Sequence, residues 1–155
     1  MRALPFRDGS FRTVLNFFTS FGYFRTEAEN TAVVEEIERV LQPGGAFLCD
    51  TFGRDHVLAR LVPEERRCCG DKQYRIRRSW DAASARLEKE IEVQRAGSSE
   101  VFRESVRAYA PHELIALLER AGLTVASVWG DFDESPLCPD SPRLIVLARK
   151  AEKPS

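Results

Sequence analysis

The stretch RVLQPGGAFLCDTF, residues 39 to 52, runs from the end of one regular pattern straight into the start of another. Upstream of it, TEAENTAVVEEIERVLQ opens with Thr26 and Glu29 at capping-box spacing and then repeats Val33, Val34, Ile37, Val40 and Leu41 along one helical face. Pro43-Gly44-Gly45 stops that helix, because proline cannot continue the hydrogen-bond ladder and glycine accepts the left-handed conformation of a helix end. The run AFLCDTF is apolar on successive residues rather than alternate ones, as in a strand buried on both faces. Before the helix, the turn-forming DGS is followed by FRTVLNFF, which predicts a strand over about residues 12 to 17. Strand, helix and strand joined by short turns form a βαβ unit, so the fold class is α/β with a parallel pair at its centre.

Further along, KQYRIRRSWD, ARLEKEIEVQR and EVFRESVRAY alternate apolar with charged residues. They predict three antiparallel strands, inserted over about residues 72–109, with one wet face. The basic first strand and acidic second strand are expected to pair across their hairpin. PHELIALLERAG starts a second helix with Pro111 in its first turn and places Leu114, Leu117, Leu118 and Ala121 on one side. LTVASVW and RLIVLARK close the chain as two strands around a proline-rich loop. Residues 1–150 are read as one domain, with AEKPS, residues 151–155, as a disordered tail.

Length and composition agree with that organisation. The chain has 155 residues, 43% of them hydrophobic, enough for one core and too few for a second independent domain. Lys and Arg number 23 against 24 Asp and Glu, so the chain carries no global basic field for nucleic acid. Neither a signal-peptide pattern nor an apolar run of membrane-spanning length is present, and the sequence reads as a cytoplasmic protein with no membrane partner. Cys49, Cys68, Cys69 and Cys138 lack the spaced pairs of a zinc site; they read as reduced thiols, and no metal is expected.

Taken in order, three segments resemble the class I S-adenosylmethionine-dependent methyltransferases. MRALPF with DGSFRTVLNFFTSFGYF is similar to the family's fourth strand, ERVLQPGGAFLCDT to its next helix and fifth strand, and YAPHELIALLERAGL to the last helix before its closing strand pair. The inserted strands resemble a β-hairpin or meander that covers the substrate mouth in small-molecule members. The resemblance therefore implies a partial Rossmann-like methyltransferase sheet, its C-terminal half. The family's glycine turn is not found: none of the nine glycines is separated from another by a single residue. An acidic ribose ligand and an adenine aspartate are also expected upstream of Met1. Arg12 departs from the aspartate that commonly follows the phenylalanine.

The resemblance implies S-adenosyl-L-methionine as cofactor and a small-molecule methyl acceptor. It places Met1 and Arg2 beside the adenine and Asn16 and Phe17 against the methionine portion. Ser20, Phe21, Tyr23 and Phe24 would line the acceptor side, where aromatic faces attract a sulfonium. Each has an ordinary alternative: a frayed start, a polar strand end, or core packing. His56 and His112 are the only histidines, and neither is named as a base, since methyl transfer from a sulfonium rests on alignment. The expectation is a truncated enzyme, weak or inactive as this chain alone. A non-catalytic remnant serving as a dimerisation or interaction module is the alternative. An uncovered strand near Val14 would favour a homodimer or a complementing N-terminal half. The missing glycine turn also argues against a nicotinamide oxidoreductase.

Overall fold

The computed structural model describes residues 3–95 and 97–152. The first strand, β1 (Phe11–Asn16), is followed by helix α1 (Glu27–Val40) and the long strand β2 (Leu41–Phe52). A short helix α2 (Arg54–Ala59) leads into β3 (Glu64–Cys69), β4 (Lys72–Asp81), β5 (Arg86–Arg95) and β6 (Ser98–Arg107). Helix α3 (Pro111–Arg120) and strands β7 (Leu123–Trp129) and β8 (Arg143–Lys150) complete the order.

The strands form two sheets, one ordered β1-β2-β8-β7 and the other β3-β4-β5-β6. β1 and β2 run parallel, as the βαβ reading requires, and β8 joins β2 and β7 antiparallel. In α1 the Thr26 hydroxyl accepts from the Glu29 N–H while the Glu29 carboxylate accepts from the Thr26 N–H, closing the expected capping box. Val33, Val34, Ile37 and Val40 are buried on its inner side. Leu114, Leu117 and Leu118 of α3 join Val33, Val34 and Ile37 against Phe47, Cys49, Leu144, Val146 and Ala148 in one core. Both helices thus cover the same sheet face. Side chains alternate across a strand, and on the opposite face the cross-strand row Leu15, Leu48, Leu147 is only partly covered. Leu15 in the edge strand keeps 55% of its surface exposed.

Two local expectations are corrected. Pro43-Gly44-Gly45 does not cap α1: the helix ends at Val40, and the three residues sit inside β2 as a bulge. Pairing jumps there from Phe11↔Leu41 to Thr13↔Ala46. Proximity explains the glycine: a Cβ at Gly45 would lie 2.7 Å from the Gln42 carbonyl and 3.1 Å from that of Arg12, while Gly44 takes a φ of +73°. The meander has a fourth strand, β3, which was not foreseen because Glu64, Glu65, Arg66 and Arg67 offer no apolar alternation. β4 and β5 pair Arg75 with Glu92 and Arg77 with Glu90, as the charge pattern suggested. The apolar side of the meander collects Ile76, Ile91, Trp80, Leu87 and Val106 in register.

Ala151 and Glu152 are exposed beyond β8, and residues 153–155 lie outside the described set. No helix among the described residues is long and apolar enough to cross a membrane.

Candidate functional site

Parallel α/β sheets place ligands at the carboxyl ends of their strands. Here that edge is made by Asn16 of β1, by Asp50 to Phe52 of β2, and by the loop that follows β1. Asp50 organises it. Its side chain is fully buried; Oδ2 accepts the Phe18 N–H at 2.8 Å, Oδ1 accepts from Arg143 Nε at 2.7 Å, and Arg143 Nη2 also reaches Oδ1. The Asp50 carbonyl takes the Thr19 N–H at 3.1 Å. This anchoring holds two consecutive non-glycine residues in the left-handed region, Phe18 at φ 56° and Thr19 at φ 57°, a conformation that costs about 1–2 kcal/mol per residue.

Next to this clamp, Asn16 is 6% exposed and its Oδ1 has no hydrogen-bond partner among the described residues. A buried acceptor left unpaired costs about 1–3 kcal/mol, a penalty that a bound donor such as an ammonium group removes. Two residues on, Phe18 is 81% exposed, its ring centroid 6.0 Å from that of Phe17. The strand end therefore offers an unpaired acceptor beside aromatic surface, features suited to a cationic ligand.

The other predicted residues separate. Ser20 is exposed, its hydroxyl donating to the Phe17 carbonyl at 2.6 Å. Tyr23 is half exposed, and partial burial followed by the Glu104 charge raises its phenol pKa. Phe21, at 2% exposure, belongs to the core, with its ring 5.4 Å from that of Tyr109. Phe24 packs against the same core. Met1 and Arg2 lie outside the described residues. His56 Nδ1 is 2.8 Å from the Asp140 carbonyl, a structural tie between α2 and the loop before β8. His112 is exposed at the start of α3.

Sequence reasoning missed Asp50, Arg143 and Gly53. The signal for Asp50 was present, a lone acid closing an apolar strand, but its partner is 93 residues away. Gly53 follows the same strand, and a Cβ there would fall 1.9 Å from the Ser141 carbonyl. At this end of β2 a cavity of about 250 Å³ is lined by Gly53, Arg54, Pro111, Leu137, Cys138 and Ser141. Cys49, one residue before Asp50, is an unreactive thiol; burial first and the Asp50 charge second push its pKa up to about 12.

Residues 1–49 match the family described as the methyltransferase domain. Among solved structures, the CcbJ methyltransferase from Streptomyces caelestis superposes with a TM-score of 0.81 at 18% identity, over 97% of this chain and 61% of its own. The chain has the fold of the class I S-adenosylmethionine-dependent methyltransferases. An S-adenosylmethionine-dependent methyltransferase from Clostridium acetobutylicum gives a TM-score of 0.80 at 13% identity, covering 97% of this chain and 62% of that one. S-adenosylmethionine-bound CalS10, an amino pentose methyltransferase from Micromonospora echinaspora, gives 0.60 at 19% identity, covering 97% and 62%. No curated protein matches in sequence. The chain thus spans about three fifths of the length of these methyltransferases. S-adenosylmethionine is the cofactor of the family.

Proposed function

We propose that this chain supplies the acceptor-facing, carboxy-terminal part of an S-adenosylmethionine-dependent methyltransferase acting on a small molecule. The observation that carries the reading is the unpaired Asn16 Oδ1, buried at the carboxyl end of β1 just before the aromatic-rich segment 17–24, in a chain that superposes on methyltransferases. Asn16 would receive the ammonium of the methionine portion, and Phe17 and Phe18 would face the sulfonium. Ser20 and Tyr23 meet the acceptor, with Phe21 and Phe24 backing their loop. When bound, S-adenosylmethionine would supply an electrophilic methyl group on its sulfonium, and these residues would align the acceptor with it. Free, exposed thiols at Cys68, Cys69 and Cys138 suit a reducing, cytoplasmic setting.

Alone, the chain holds the cofactor weakly, because no glycine turn is present in its sequence. Lack of two charge-assisted contacts, those to ribose and adenine, costs about 3–6 kcal/mol, or ~10²–10⁴-fold in affinity. Isothermal titration with S-adenosylmethionine tests this. Binding in the millimolar range, tightened on adding an amino-terminal segment of strand, glycine turn and helix, supports the reading. A micromolar dissociation constant for the chain alone overturns it.

A second reading, a dimerisation or interaction module without turnover, is favoured by one observation. The β1 edge and the row Leu15, Leu48, Leu147 leave apolar sheet surface open to a second copy or a complementing half.

A further inference from the structure

Arg86, the first residue of β5, is only 8% exposed, and among the described residues it makes no ion pair. A buried guanidinium needs its donors filled and its charge answered. Arg86 Nη1 donates to the Phe24 carbonyl at 3.0 Å, and Nη2 donates to the carbonyls of Gly22 at 3.3 Å and Ser105 at 2.8 Å. Nε donates to Ser105 Oγ at 2.6 Å, and that hydroxyl donates onward to Glu88 Oε1 at 2.7 Å. The counter-charge is therefore Glu88, reached through one hydroxyl. All three side chains belong to the meander, whereas two of the carbonyls they hold belong to the loop after β1.

Gly22 shows how tightly the two are joined. Its carbonyl also accepts the Arg107 N–H at 2.8 Å, and with φ at +94° a Cβ there would sit 2.7 Å from the Arg107 carbonyl. The loop lies flat on the end of β6, with no room for a side chain between them.

We propose that Arg86 is a positioning residue: through the relay Glu88–Ser105–Arg86, the meander fixes the conformation of loop 20–24 and so aims Ser20 and Tyr23. The assignment of those two residues to the acceptor rests on the reading above; the strut itself does not. The meander is then the part that shapes the acceptor loop from behind. A lysine cannot replace the arginine, because an ammonium group lacks the planar fork that reaches two loop carbonyls and Ser105 together.

The test is amide and side-chain hydrogen exchange by NMR on the whole 155-residue chain without ligand. Wild type should show a slowly exchanging Arg86 Nε–H resonance, and Ser105→Ala should shift and deprotect it. In Arg86→Met and Arg86→Lys alike, the Arg107 amide should exchange at least about tenfold faster while core amides of α1 and α3 keep their rates. A rapidly exchanging Arg86 Nε–H in wild type overturns the proposal, and needs no variant to fold. So does an Arg107 amide unchanged in both variants, or an equal acceleration of every amide. Because neither cofactor nor acceptor is present, failure here is failure of the strut, whereas failure of the methyltransferase reading appears only in the cofactor titration.

Discussion

Replacing Asp50 by asparagine keeps the shape of the side chain and removes its charge. In the native chain the carboxylate serves three donors, Phe18 N–H and the Nε and Nη2 of Arg143. One amide oxygen cannot serve all of them, and the charge that answers the guanidinium is gone. Hydrogen bonds to charged groups contribute about 1.5–3 kcal/mol, while breaking a fully buried ion pair costs about 3–5 kcal/mol. Arg143 retains 21% of its side-chain exposure, so water recovers part of the loss and the lower range applies. Asp50→Asn should therefore destabilise by about 2 kcal/mol, lowering Tm by about 4–8 °C for a domain of this size. Urea denaturation of Asp50→Asn, Arg143→Met and the double variant isolates the pair, with an expected coupling of about 1.5 kcal/mol. If the two single effects add within about 0.5 kcal/mol, Asp50 does not act through Arg143 and the account of the clamp is wrong.

Other outcomes follow from neighbouring features. Thr19→Gly should raise stability by up to about 1 kcal/mol by relieving the left-handed φ, less the added chain entropy; a loss above about 1 kcal/mol in the same urea assay would show that no strain is stored there. Gly53→Ala should cost about 3 kcal/mol or more, because its Cβ meets the Ser141 carbonyl at 1.9 Å; a melting temperature within about 2 °C of wild type would contradict the packing. The Glu36 carboxyl is held near 2 by Arg39 first and the Leu4 N–H second, so its tie between residues 4–9 and α1 is complete above its ordinary value near 4.5 and is lost as pH falls from there toward 2. Proteolysis of the amino-terminal segment should rise across that window, and Glu36→Gln should abolish the pH step. Self-association should bury the β1 edge, at roughly 25 cal/mol per Å² of apolar surface; sedimentation showing a monomer throughout the micromolar range would count against it, and Leu15→Lys should weaken any dimer found.

What the sequence disclosed and what it hid divide along a physical line. The capping box at Thr26 and Glu29, the inner face of α1 and the parallel βαβ pair are written in local spacing, and all appear in the structure. β3 escaped notice because its strand character comes from pairing with β4 rather than from its own alternation. At the site, Asn16 was legible as a polar residue ending an apolar strand, and its unpaired oxygen gives that position its interest. For Phe21, aromatic spacing does not say which rings turn inward, and its core neighbour Tyr109 lies far along the chain. Asp50 with Arg143, and Arg86 with Glu88 and Ser105, depend on partners brought together by the sheets, so their roles were not available from spacing alone.

The bulge at Pro43-Gly44-Gly45 has a consequence for tolerance to change. Between Leu41 and Ala46 the chain takes up slack against β1, and from Val14↔Phe47 to Asn16↔Cys49 the two strands then march in step. A residue gained or lost within that slack alters the exit from α1 without sliding Asn16 past Asp50. The same insertion two positions later would turn every following side chain of β2 to the other face, taking Asp50 off its clamp. The bulge works as an expansion joint, letting the scaffold drift in length on one side while the alignment of the site on the other stays fixed.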